Sequence, residues 1–565
     1  MKKVIKTFIC LSALFGSTSA MAQRDSLEMD LTIVGDLDLF LRDAKKLQTS
    51  PELKESLVEL PTISYTLIPN KQQVEIVTNP IKPAKVTVEP PISKLYKGYV
   101  KAGFGVYRTP LLDLYYMDDR SRDGSWGVQL HHLSSSGGTA FEDTIPDGFS
   151  NNSASIWGRK YLKKHSLQGG LDYNRDVVNY FGFDPQIYWD TPTDNLEQTF
   201  SNVQGNLELK SYHRDSSKFN FAGEVAFRNF KDAREGIENN VNFDFNGRKY
   251  KDNELYSLDL GINYNNFQHL RLTDGDRLNQ DNVIIRIQPM ASTRAKNFLV
   301  KFGMSLIVDT QSDSPIHVYP IAEAAYSLLD DLFIPYLGVR GDLEQNTYRS
   351  VTTNNPFVLT DIELTNTNQK LQAYGGIRGT LSSSTSFNVS SSFTKYEEFM
   401  YFVNDSAFSS GNQFSVLYDD LSVFQLKGEL SVNTKDNFRF QLSGEYNLYE
   451  PDFEAYAWYQ PVTKFTLTSS YNLQDKLIVS MDLFSEGRRK AKSLAQVREG
   501  VLENDGSYTV DLKAYLDANL GVEYRYTKRL SAFVQLNNFL AAKYQRLNQY
   551  NIQRFNAMMG ATYSF

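Results

Sequence analysis

Cysteine is almost absent from this chain of 565 residues, and the single one, Cys10, lies in its first ten positions. Beyond residue 22 no disulfide, thiolate metal site or cysteine nucleophile is available. Long apolar runs are missing as well. After Gln23 no stretch approaches the ~18 consecutive apolar residues that a membrane-spanning helix requires. Charge of one sign is scarce: the formal net charge is -7, spread along the chain, and no basic stripe suggests a nucleic-acid partner. The six histidines, His131, His132, His165, His213, His269 and His317, form no i, i+4 pair and no acid-flanked metal motif. His131 and His132 are adjacent, so on a strand they point to opposite faces and cannot share one ion. No metal and no cofactor is expected.

Aromatic residues are abundant. There are 34 Tyr, 36 Phe and 4 Trp, 13% of the chain, although mean hydropathy is only -0.41. Such a balance suits a sheet with one face toward lipid and the other toward water. The first 22 residues have the form of a secretory signal peptide: Lys2, Lys3 and Lys6, an apolar run from Phe8 to Phe15, and Ala20-Met21-Ala22 as a cleavage site. Residues 23–95 hold seven of the 18 prolines, interleaved with short Val/Ile/Lys runs, and read as an extended segment.

From Tyr96 to Phe565 the dominant period is two. Phe424, Leu426, Gly428, Leu430 and Val432 alternate with Gln425, Lys427, Glu429, Ser431 and Asn433. After a turn at 434–436, Phe438, Phe440, Leu442, Tyr446 and Leu448 alternate with Arg439, Gln441, Ser443, Glu445 and Asn447. Alternation puts one set on each face of a sheet. These runs exceed ten residues, the length of a tilted strand crossing a bilayer, whereas an average strand has about five or six. A spanning sheet must close, because lipid cannot satisfy a free edge. The expected fold is therefore all-β: a large antiparallel transmembrane barrel over residues 96–565. It should have about 22 strands (range 18–24), short turns at one end and longer polar loops such as 134–153, 184–195 and 345–366 at the other. The polar rows supply lumen-facing candidates: Lys427, Glu429, Arg439, Glu445, Asp517, Glu523 and Arg525. Mixed signs in such rows can pair across strands and need no ligand.

Two weaker signals have plain structural readings. Asp274-Gly275-Asp276 with Asp281 is acidic but lacks the spacing of a calcium loop, and a solvated turn accounts for it. Gly103-x-Gly105 lies within a strand, where glycine permits close packing or curvature. No strained Gly-x-Ser-x-Gly turn is present, and no Ser–His spacing stands out, so an enzyme is not expected.

The C-terminal segment from Leu516 to Phe565 contains Leu520-Gly521-Val522-Glu523-Tyr524-Arg525-Tyr526, then Gln535-Leu536-Asn537-Asn538-Phe539, and closes on Gly560-Ala561-Thr562-Tyr563-Ser564-Phe565. It resembles the last strands of TonB-dependent receptor barrels, and Leu95 to Gly137 looks like a plug-less subgroup of them. The resemblance implies an outer-membrane barrel that takes up or transports a solute through a polar lumen. It also implies Tyr563 and Phe565 as a signal for the barrel-assembly machinery, with outer-membrane lipid as surroundings. Asp30, Leu31, Thr32, Ile33 and Val34 are similar to a TonB box, which makes TonB, or another periplasmic or outer-membrane protein, a possible partner by strand addition. The chain departs from the family before the barrel: only 73 residues (23–95) stand where a plug of well over a hundred belongs. A wide barrel without a plug must be open, filled by its own loops, or closed by a partner. The alternative function is a non-transporting scaffold or assembly component that docks a periplasmic or surface partner.

Overall fold

The computed structural model describes residues 96–565, apart from 119–120, 140–144, 189–195, 214, 216 and 435–436. The signal sequence, the proline-rich segment and the TonB-box-like residues Asp30–Val34 lie outside the described residues.

The architecture is a closed antiparallel barrel of 22 strands. Nineteen follow one another from Gly98–Gly105 to Leu477–Glu486, and Tyr515–Arg525, Leu530–Asn537 and Asn556–Ser564 complete the ring. The first and last strands pair in continuous register, from Tyr99 opposite Ser564 to Gly105 opposite Met558. A barrel opening sideways would need a weak seam here, and this ladder has no gap. Gly103 faces Gly560 across the seam, and a Cβ on Gly560 would drive into the Ala102 carbonyl oxygen, so the strands meet where neither has a side chain. At the chain end, Gly98 and Phe565 exchange both backbone hydrogen bonds at 2.9 Å.

Strand length and alternation explain the wall. Strands run from 8 residues to the 21 of Phe414–Thr434. The expected hairpin is found in register, with Phe424 opposite Leu448, Leu426 opposite Tyr446 and Lys427 opposite Glu445. Phe424, Leu426, Tyr446 and Leu448 are exposed, as are Leu171, Leu207, Val225, Phe302, Val389 and Met559 on strands spread around the ring. In water such a band would be unstable.

The two ends differ. Turns beside Gly98 and Phe565 are short, as at 252–253, 296–297 and 383–384, and the 474–475 turn uses Gln474 and Asp475 with φ of 52° and 55°. The far end carries the connections 180–196, 345–366, 487–514 and 538–555. One holds the seven-residue helix Tyr348–Asn354, capped by reciprocal Thr347–Ser350 hydrogen bonds. Another holds a small sheet in which Arg489–Ser493 pairs with Tyr508–Leu512, and Lys492–Ser493 runs parallel to Val403–Asn404.

Candidate functional site: loops across the barrel mouth

The largest apolar core among the described residues is not in the wall. It lies at the far end and is built mostly from loops: Tyr180, Phe181, Phe183, Tyr348, Val351, Val358, Leu359, Trp458, Val510 and Tyr550 all belong to it.

Tyr550 joins four of these loops. Its ring stacks on Phe357 at 3.5 Å between centroids, meets Phe181 edge-on at 4.9 Å, and approaches Phe414 at 6.0 Å. Its hydroxyl donates to the Asn412 carbonyl at 2.5 Å, and the Asn412 amide donates to the Tyr180 carbonyl at 2.8 Å. Gly182 leaves the space that the Tyr550 ring fills. These loops follow the fifth, thirteenth, fifteenth and twenty-first strands of the ring. At ~4.8 Å between strands and a tilt of ~40°, a 22-strand ring is about 40 Å across. The fifth and fifteenth strands stand nearly opposite each other, so side chains that touch there have crossed the mouth. Burial raises the pKa of the Tyr180, Tyr459 and Tyr550 hydroxyls far above the ordinary phenol range and keeps them protonated, as expected in a dry core.

The loop 345–366 is anchored by two carboxylates flanking the turn at 233–236. The Tyr348 hydroxyl and the Thr360 hydroxyl donate to Asp232 at 2.5 and 2.6 Å, and the Gly236 N–H donates to its other oxygen at 2.6 Å. Glu238, fully buried, accepts from the Tyr348 N–H at 2.5 Å and pairs with Arg228 at 3.2 Å. Phe267 stacks on Tyr348 at 4.5 Å. The loop thus has an apolar seat with charge-assisted hydrogen bonds at its edge. Reading 345–366 as a polar external stretch misses this. The signal present in the sequence was Phe357-Val358-Leu359 and Tyr180-Phe181-Gly182-Phe183, apolar runs too rich for solvated loops.

The residues singled out from the sequence fall in separate groups. Lys427 contacts Glu429 at 2.9 Å and Glu445 at 3.4 Å, and Glu429 accepts from Asn388 at 3.3 Å. Arg439 is exposed, in register with Asn433 and Ser470. Glu523 and Arg525 approach to 3.8 Å, and Arg525 reaches Asp475 at the same distance. Asp517 stands apart: it is buried and accepts from the Tyr544 hydroxyl at 2.9 Å, while Tyr544 stacks on Tyr515 at 3.7 Å, so a loop residue has claimed it. Tyr563 stacks on Phe565 at 6.2 Å, and both are half-exposed beside the seam. His131 binds Asp113 at 2.5 Å and His132 binds Asn152 at 2.7 Å, on opposite faces as adjacency requires. Asp274 pairs with Arg271 at 2.9 Å, and Asp281 accepts from Tyr264 at 2.8 Å and Asn266 at 2.9 Å. Among the described residues no group of three or more His, Cys, Asp or Glu side chains is placed to hold a metal ion.

No protein-family model matches the chain, and no curated protein matches it. Solved structures do. The pyoverdine outer membrane receptor of Pseudomonas aeruginosa PAO1 aligns over 84% of this chain and 79% of its own, at 13% identity and a TM-score of 0.61. The siderophore receptor PirA of Acinetobacter baumannii aligns over 84% and 81%, at 12% and 0.63. The FrpB iron transporter of Neisseria meningitidis aligns over 84% and 82%, at 9% and 0.63. At such identity the likeness is one of fold: the chain, a barrel of 22 strands, shares the fold of these proteins.

Proposed function

We propose that this chain is an outer-membrane uptake barrel whose outer mouth is shut by its own loops. The single observation that carries the proposal is the closed ring with an exposed apolar row on one face and a charged, hydrogen-bonded row on the other. Read as a membrane protein, the apolar row meets lipid, and Lys427, Glu429, Arg439, Glu445, Glu523 and Arg525 line a water-filled lumen. Asp517 belongs to the same row, tied to the cap. The loop end is then external and the short-turn end periplasmic. The pyoverdine receptor and the iron transporter support transport as the general role.

In this reading the cap does the work that a plug does in the family the sequence resembles, and the barrel is plug-less. Residues 23–95, exported after removal of residues 1–22, extend into the periplasm, where Asp30–Val34 would engage TonB by strand addition. Tyr563 and Phe565 would mark the final strand for the barrel-assembly machinery.

Cysteine labelling tests the lumen. The processed chain would carry no cysteine, so Lys427→Cys and Leu426→Cys can be compared without background. A membrane-impermeant thiol reagent applied from the short-turn, periplasmic end should modify the first in vesicles and spare the second. Equal labelling of both would sink the lumen assignment.

A further inference from the structure

On the wall opposite the exposed apolar row, below the cap, the strands Phe149–Tyr161, His165–Asn179 and Glu197–Ser211 enclose a niche of about 360 Å³. That volume lies within the ~300–1,000 Å³ range of small-molecule sites. It is lined by Trp157, Arg159, Gln168, Gly170, Asp172 and Asn206.

The niche follows from a run of register. Trp157 has glycine directly opposite on both neighbouring strands, Gly127 on one side and Gly170 on the other. Its indole lies across Gly127, where an added Cβ would stand 2.8 Å from Nε1. On the other side, the Asn206 side-chain oxygen occupies the room over Gly170, 2.8 Å from where a Cβ would be. Neither partner covers the indole with a side chain of its own.

The polar groups around the ring are fixed, and each keeps one function spare. The Arg159 Nε donates to Gln168 Oε1 at 2.8 Å, and Nη2 donates to the same oxygen. Gln168 therefore retains its amide N–H groups. Asn206 donates its amide to Glu224 at 3.0 Å from behind, which leaves Oδ1 to accept. Asp172 accepts only, and Arg159 keeps Nη1 to donate. Donors and acceptors thus stand together beside the half-buried Trp157 indole, and the two charges in the lining cancel.

We propose that this niche is a binding subsite for a neutral polyhydroxylated ring, a saccharide unit, stacked on Trp157. Each ring hydroxyl can donate once and accept twice, which suits a rim of mixed donors and acceptors. The C–H face of the ring suits the indole. A purely apolar ligand would leave the rim unpaired. An anionic ligand would oppose Asp172, and a cationic one Arg159. The proposal rests on the lumen reading above.

Calorimetric titration of the refolded full-length protein in detergent is the test, using maltose, cellobiose and lactose as neutral probes with glucuronate and glucosamine as charged counterparts. Saturable binding of at least one neutral disaccharide is expected. It should weaken at least tenfold in Trp157→Ala and in Asn206→Ala, survive in Trp157→Phe, and be weaker for both charged sugars. No binding by any neutral probe at concentrations on the order of 10 mM overturns the proposal. So does binding that both alanine variants leave unchanged. Thiol labelling of Asn206→Cys separates the two failures: a labelled cysteine in a protein that binds no sugar rejects the niche alone, whereas an unlabelled one rejects the lumen reading beneath it.

Discussion

Tyr550→Ala is the sharpest probe of the closed mouth. Tyr550 is buried, at 4% exposure, and ties its own loop to three others that start elsewhere on the ring. Truncating a buried aromatic to alanine costs about 3–5 kcal/mol, from lost burial and the cavity left behind. At about 1.4 kcal/mol per tenfold, the cap shifts toward open by roughly a hundredfold to a few thousandfold. Tyr550→Phe keeps the stack and loses one hydrogen bond to the Asn412 carbonyl, worth about 1 kcal/mol, or roughly fivefold. Single-channel recording in a planar bilayer reads this directly. The wild-type protein should be nearly silent with rare openings, Tyr550→Phe should open somewhat more often, and Tyr550→Ala should give long or steady conductance. Silence in all three would refute the idea that the loop core gates the lumen. Equal effects of the two substitutions would refute the assignment of the energy to packing.

Other outcomes follow from the same structure. Glu238→Ala removes the partner of Arg228 and the acceptor of the Tyr348 N–H, a loss of about 3–5 kcal/mol for a broken buried pair, so amide exchange over 347–355 should accelerate strongly. Unchanged protection there would remove Glu238 from the latch. Gly560→Val places a branched side chain against the Ala102 carbonyl at the seam, and the heat-modifiable band of the closed barrel on gels should be lost. Reversing a charge with Glu445→Lys, beside Lys427, should shift the reversal potential of any open variant toward anions; an unmoved potential would take that row out of the conduction path. Deleting residues 24–95 should leave the conductance of Tyr550→Ala intact, because the loop core that Tyr550 holds is built, among the described residues, from Ile145 to Tyr550.

The wall was legible because its rule is local. Alternation in Phe424–Tyr449 is visible over a few residues, and it placed Lys427 and Glu445 in one row before their register was known. The strand number, expected near 22, is 22. The cap escaped for the opposite reason. Asn412 meets Tyr180 across 232 positions of sequence, and Arg234 donates to Gln413 across 179. Nothing periodic records such meetings. Asp517 shows the limit of a purely local reading: alternation put it among the charged lumen candidates, but a loop tyrosine 27 residues later occupies it. The niche at Trp157 lay equally hidden, since it depends on glycines that register brings beside the indole from two other strands.

The wall and the cap answer to different solvents. In the proposed setting the wall stands in hydrocarbon, where an unmade backbone hydrogen bond is expensive and no water competes for it. The cap is an oil drop in water, held by a force that is largely entropic near room temperature and fades as the sample is cooled. Cooling or mild urea should therefore make the protein leak well before it unfolds, with the ring intact and its stopper loosened.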